Sequence, residues 1–278
     1  MSRLFTFGCS FTEYQWPTWA DILGKEFDYF ENWALRGSGN SLILYSLSEC
    51  IKRNNITTDD TVIIMWTSIA REDRWVRKSK WITLGSIYNQ SEYDDNFVKK
   101  FADPTGYLIR DLAIISSTKK ILESIGCKWQ FLSMVPLNYG TNHDLTPIDK
   151  SVLKLYSSDI SAIKPSIYEL VFNNDWYSRP MESPKVEVEY NILRGTDWPS
   201  WQDFKSNTLT NISENIKNEI KEKFFKKSVR IDEHPTPQEH LIYLDALNFT
   251  ISPKTRQWVN TYNYNAPNWK TNAPNVRF

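Results

Sequence analysis

The chain has 278 residues, with 33 basic and 33 acidic side chains and no formal net charge. That length allows one or two domains and a sizeable core. The balanced charge excludes partners held mainly by an excess of Lys and Arg, nucleic acid above all, and the 41% hydrophobic, 24% charged composition excludes disorder.

Residues 4–7 form a short apolar run that stops at Gly8, a first strand. Pro17 then opens a helix through Trp19, Ile22 and Leu23, because proline suits the first helical turn. A second strand spans 28–34. Gly37-Ser38-Gly39-Asn40 interrupts it, and a helix follows with Leu42, Ile43, Leu47 and Ile51 on one face. Residues 61–66 (Thr-Val-Ile-Ile-Met-Trp) are continuously apolar and β-branched, as in a strand buried on both faces. A long helix over 108–125 closes at Gly126, and a fourth strand covers 128–135. A helix over 207–225, a short fifth strand over 229–231 and a closing helix over 237–247 complete the series.

Strands alternating with helices predict a three-layer αβα fold around a central parallel sheet of about five strands. Its ligand site should lie at the carboxyl ends of the strands. Residues 1–251 read as one such domain, with long inserts at 71–103 and 137–204 and an extended arm over 252–278 that packs on the domain or reaches a partner, an oligomeric contact included. Basic residues at 217–227 alternate with Glu219 and Glu222, a solvated helix face and not a nucleic-acid surface. No run of about 18 apolar residues suggests a membrane span. The start has no signal-peptide shape, so a cytoplasmic location is expected. Cys9, Cys50 and Cys127 are too scattered for a disulfide framework or a zinc site. The unusual figure is 14% aromatic residues, including 12 Trp.

Four segments carry chemistry. Ser10 follows the first strand, where a hydroxyl is presented at the sheet edge; it also suits a helix-capping turn. Asp232-Glu233-His234-Pro235 follows the last strand, and histidine is scarce: His143, His234 and His240. An imidazole is the natural base for a serine, and Asp232 is placed to orient it. Gly37-Ser38-Gly39-Asn40 offers backbone N–H groups at a helix start, an anion site without the Lys-Ser/Thr of a phosphate loop. Trp66-Thr67-Ser68 with Arg71 follows the third strand and supplies hydroxyls and a fixed positive charge. In a parallel sheet all four loops share one edge.

These blocks resemble the SGNH/GDSL hydrolases. Gly8-Cys9-Ser10-Phe11-Thr12 looks like the first block, with Cys9 where many members have Asp. Residues 32–40 (Asn-Trp-Ala-Leu-Arg-Gly-Ser-Gly-Asn) resemble the second, whose glycine, here Gly37, donates its N–H to the oxyanion. Asp232-Glu233-His234-Pro235 resembles the last block, with Asp-x-His in place of the commoner Asp-x-x-His. The third block departs: the family's Gly-x-Asn-Asp is Met65-Trp66-Thr67-Ser68 here, so either Asn40, Thr67 or Ser68 substitutes for its Asn or the oxyanion hole is weaker. The Gly-Cys-Ser-Phe-Thr block with Trp-Thr/Ser…Arg is similar to members found in bacteriophage genomes, which would add a virion as a location.

The resemblance implies a flavodoxin-like SGNH fold and a cofactor-free serine esterase without a metal. Ser10 is then the nucleophile, with His234 as base and Asp232 orienting it. Ser10, Gly37, Asn40 and Thr67 form the oxyanion hole, and Trp66, Ser68 and Arg71 contact substrate. A small-molecule or glycan ester is the expected substrate, in particular a carbohydrate O-acetyl group, because Trp75, Trp81, Tyr88, Tyr93, Trp176, Tyr177, Trp198 and Trp201 in the inserts suit sugar rings. The competing reading is a catalytically weak or silent structural or glycan-binding protein, such as a virion or host-interaction component. Cys9 should point under the sheet as a buried structural thiol.

Overall fold

The structure, a computed structural model, describes residues 1–76, 80–89, 93–139, 144–175 and 234–262. Strand β1 (Arg3–Phe7) leads into helix α1 (Trp19–Gly24), β2 (Tyr29–Asn32), α2 (Asn40–Asn54) and β3 (Thr61–Trp66). A hairpin, β4 (Arg71–Val76) and β5 (Lys80–Ser86), is followed by α3 (Asp95–Phe101), α4 (Pro104–Ile125) and β6 (Lys128–Ser133). Three short helices come next: α5 (Pro147–Leu155), α6 (Ser157–Ile160) and α7 (Ile167–Leu170). Helices α8 (Pro237–Ala246) and α9 (Pro253–Asn260) end the described chain.

Four strands form one parallel sheet in the order β2-β1-β3-β6, with Phe7 opposite Ile64 and Trp66 opposite Ser133. This is the flavodoxin-like order. The chain leaves β1 to one side and returns to its other side at β3, so the switch point lies between β1 and β3. The expected fifth strand at 229–231 and the helix at 207–225 lie outside the described residues.

Strand periodicity divides the core. Leu4, Ile63, Met65 and Leu132 face α1, α8 and α9, whereas Phe5, Phe7, Val62, Ile64, Trp66 and Phe131 face α2 and α4. Both faces are therefore covered, which explains the continuous apolar reading of β3. Each large side chain that is fully buried in this way contributes about 1.5–3 kcal/mol. Helix α4 begins where Asp103 accepts from the Gly106 N–H at 2.7 Å and Pro104 takes the first turn; it ends at Gly126, with φ 77°.

The structure corrects one expectation and adds detail to another. Within the insert at 71–103 the described residues form the hairpin and α3. Its polar strand residues hid the pattern, because Glu72 and Asp73 are used for contacts with α4 and α2. The arm at 252–278 does not begin extended. Ser252 accepts from the Thr255 N–H and Pro253 starts α9, which buries Thr255 and Val259. Ser252 also donates to Glu26, and the Lys25 ammonium lies 4.1 Å from the Trp258 ring centroid, so α9 packs on the segment after α1. Residues 263–278 lie outside the described residues. Among the described residues no helix is long and apolar enough to cross a membrane.

Candidate active site

The switch-point crevice is built by the loops after β1, β2 and β3. After β1 the chain turns sharply: the N–H groups of Thr12 and Glu13 both donate to the Cys9 carbonyl, at 2.9 and 3.0 Å. Ser10 sits inside this turn, 9% exposed. Gly8 is needed because a Cβ there would lie 2.1 Å from Thr12 Oγ1. The turn is fixed from outside by Thr18 Oγ1 and Asn32 Nδ2, each donating to the Thr12 carbonyl at 2.7 Å. Cys9 is fully buried, its thiol 3.4 Å from Met134 Sδ, as a structural cysteine requires.

The loop after β2 folds onto the same turn. The Leu35 N–H (3.2 Å) and the Ser38 hydroxyl (2.8 Å) both donate to the Gly8 carbonyl. Gly37 adopts φ 77°, where glycine is favoured. Neither the Ser10 N–H nor the Gly37 N–H bonds another described residue.

His234 meets this loop through its ring. It stacks on Tyr14 at 3.8 Å between centroids and packs against Phe11, the residue after Ser10, at 5.4 Å. Trp16 Nε1 donates to the Pro235 carbonyl at 2.7 Å and packs edge-on to Tyr14 at 4.4 Å. The segment after Ser10 thus grips the His234 turn from two sides. Asp232 and His143 lie outside the described residues. His240 is buried within α8.

The loop after β3 is committed elsewhere. Asn40 is fully buried, and its Nδ2 donates to the Thr67 carbonyl (3.1 Å) and to Asp111 Oδ2 (2.7 Å), while its Oδ1 accepts from the Thr67 N–H (3.0 Å). Both amide hydrogens are spent, so Asn40 braces the loop and has no donor left for an oxyanion. The Thr67 hydroxyl faces Met134 Sδ at 3.8 Å. The Ser68 hydroxyl donates to the Tyr139 carbonyl and accepts from the Ala70 N–H, which removes it from substrate contact. Trp66 is fully buried against Phe131, 5.3 Å between centroids, and is a core residue. Its apolar bulk fits the α4 side of the sheet, which a position at a strand end does not reveal.

Beneath the crevice lies a polar cluster. Asp73, from β4, accepts from the N–H groups of Gly39 (2.8 Å) and Leu42 (2.9 Å) and so caps α2, whose own Gly39 has no side chain to do it. Burial holds the Asp73 carboxyl above its ordinary range, against those two N–H groups and the charges of Arg110 and Arg71. Burial also pushes Asp111 up to about 6, opposed by Arg110 and the Asn40 amide. The bare Gly39 cap is the one sequence signal for this contact. Tyr14 and Trp16 lay in plain view after Ser10, but nothing local indicated that they hold the histidine turn. Among the described residues no three His, Cys, Asp or Glu side chains gather as a metal site. Trp176, Tyr177, Trp198 and Trp201 lie outside the described residues.

No family model matches the chain, and no curated protein matches it. Among solved structures, the chain is similar to a psychrotrophic esterase, EstA from Pseudoalteromonas sp., inhibited by monoethylphosphonate, at 13% identity and a TM-score of 0.33, over 62% of this chain and 80% of that one. It is also similar to TesA at 14% identity and a TM-score of 0.32, over 81% of this chain and 96% of that one. At those values neither likeness transfers a residue role to this chain.

Proposed function

We propose that the protein is a serine ester hydrolase working at the crevice between β1 and β3. The observation that carries this reading is the placement of His234 against Tyr14 and against Phe11, the residue after Ser10, with the Ser10 and Gly37 N–H groups unused by other described residues. In the reaction, Ser10 Oγ adds to the ester carbonyl carbon and its proton passes to His234, held in orientation by Asp232. The carbonyl electron pair moves onto oxygen, facing the two N–H groups. Collapse expels the alkoxide, which takes the proton from His234. Water, deprotonated by His234, then releases the acid and restores Ser10.

A glycan ester is the substrate this reading favours. Trp75 is exposed at the far part of the hairpin, edge-on to Trp81 (5.4 Å), which lies 5.6 Å from exposed Tyr45. Rings of this kind suit sugar faces. Trp75 stands four residues along β4 from Arg71, about 13 Å at the strand rise, a spacing that suits a chain longer than one sugar. The test is turnover of p-nitrophenyl acetate by wild type, Ser10→Ala and His234→Ala. Loss in both variants supports the assignment; unchanged turnover in Ser10→Ala refutes it. One observation favours a silent scaffold instead, namely that Asn40, Thr67 and Ser68 are all engaged in other bonds.

A further inference from the structure

We infer that Arg71 is the third oxyanion donor of this site, replacing the side-chain amide that the loop after β3 does not provide. The inference rests on the serine hydrolase reading above and adds a catalytic residue to it. An oxyanion forming at Ser10 needs donors with hydrogens to give. Asn40 has none left, the Ser68 hydroxyl is given to Tyr139, the single hydrogen of the Thr67 hydroxyl is directed at Met134 Sδ, and the Thr67 N–H is bound by Asn40. Arg71, four residues beyond Thr67, does have them. Its Nη1 donates to the Ser38 carbonyl at 2.9 Å, one residue from Gly37. Its Nη2 lies 3.6 Å from Met134 Sδ, the sulfur that the Cys9 thiol also contacts, one residue from Ser10. The guanidinium thus joins the loop after β2, which carries Gly37, to Met134 just past β6, whose sulfur meets Cys9, the residue before Ser10.

A guanidinium has five N–H donors, and these two contacts use two. No carboxylate is within ion-pair reach of Arg71 among the described residues. The residue is half-buried. Its backbone is fixed in turn, since Arg110 Nη2 donates to the Arg71 carbonyl at 2.9 Å. A half-buried charge that feels Asp73 without an ion pair to it, and whose hydrogen bonds go to a neutral carbonyl and a weak sulfur acceptor, is suited to a negative charge that exists only in the transition state.

The experiment compares kcat and KM for p-nitrophenyl acetate, a neutral ester, in wild type, Arg71→Met, Arg71→Lys and Arg71→Ala, with thermal unfolding as the folding control. Arg71→Met should lower kcat by about 100- to 1000-fold, the usual loss for one oxyanion donor, with KM little changed. Arg71→Lys should keep part of the rate, and added guanidinium ion should restore part of the rate to Arg71→Ala but not raise that of wild type. A kcat within threefold of wild type in Arg71→Met overturns the inference, as does a change confined to KM, which would mark a substrate anchor. Wild-type turnover that survives Ser10→Ala would instead defeat the hydrolase reading itself, so the two failures are distinguishable.

Discussion

Replacing Asn40 with Ala should destabilise the protein by about 3 kcal/mol. The change deletes three hydrogen bonds, to the Thr67 N–H, the Thr67 carbonyl and Asp111 Oδ2, all in a fully buried position. Each buried group left without a partner costs about 1–3 kcal/mol, and water entering the small cavity offsets part of the sum. The loss would be a large fraction of a typical total of about 5–15 kcal/mol. Urea unfolding at pH 7, followed by tryptophan fluorescence, measures it directly. Asn40→Asp sharpens the test, because it sets a second carboxylate oxygen against Asp111 Oδ2, where the amide now donates at 2.7 Å. Such a pair takes up a proton in the folded state only, so Asn40→Asp should gain stability relative to wild type as pH falls from 8 to 5. A loss below about 1 kcal/mol in Asn40→Ala, or no pH dependence in Asn40→Asp, would refute the bracing role.

Gly8→Ala forces a Cβ to 2.1 Å from Thr12 Oγ1 and should cost about 1–3 kcal/mol by thermal unfolding; adding Thr12→Ala should recover part of it, and no loss in the single variant would show that the turn is not tight. Tyr14→Leu removes the ring stacked on His234, an interaction of about 0.5–1.5 kcal/mol, so kcat/KM for p-nitrophenyl acetate should fall about 2- to 12-fold; an unchanged value would separate Tyr14 from the base. Asp111 titrates near 6 when folded and near 3.8 when unfolded, so the folded state holds the extra proton between those values and stability from this group falls as pH rises through that window. The stability of wild type minus that of Asp111→Asn should therefore be about 2–3 kcal/mol more favourable at pH 4 than at pH 7; a difference constant with pH would contradict this.

Much of the frame was legible in the sequence. The apolar run at β3 matched its strand residue for residue, and Gly126 marked the end of α4, because periodicity and caps are local signals. Ser10, Gly37 and His234 could be chosen as candidates because each follows a strand or precedes a helix at the edge where ligands bind. What could not be read is pairing between distant segments. Nothing near Asn40 announces Thr67 or Asp111 as its partners, so a buried brace read as a free donor. The hairpin at Arg71–Ser86 escaped notice because its polar residues serve α2 and α4, where hydrophobic alternation has no meaning. Trp66 and Ser68 stand close to Arg71 in sequence, yet burial withdraws the first and the Tyr139 carbonyl the second, whereas Arg71 reaches the loop after β2. The aromatic surplus divides in the same way: Trp16, Trp19, Trp33 and Trp66 fill the core, whereas Trp75 and Tyr45 stay exposed.

The central claim is that Ser10 is an activated nucleophile. Incubation with a fluorophosphonate, followed by intact mass and peptide mapping, tests it most directly. The account predicts a single adduct on Ser10, absent in Ser10→Ala and formed more slowly in His234→Ala. A folded wild-type protein that takes no adduct, or takes it at another residue, would contradict it.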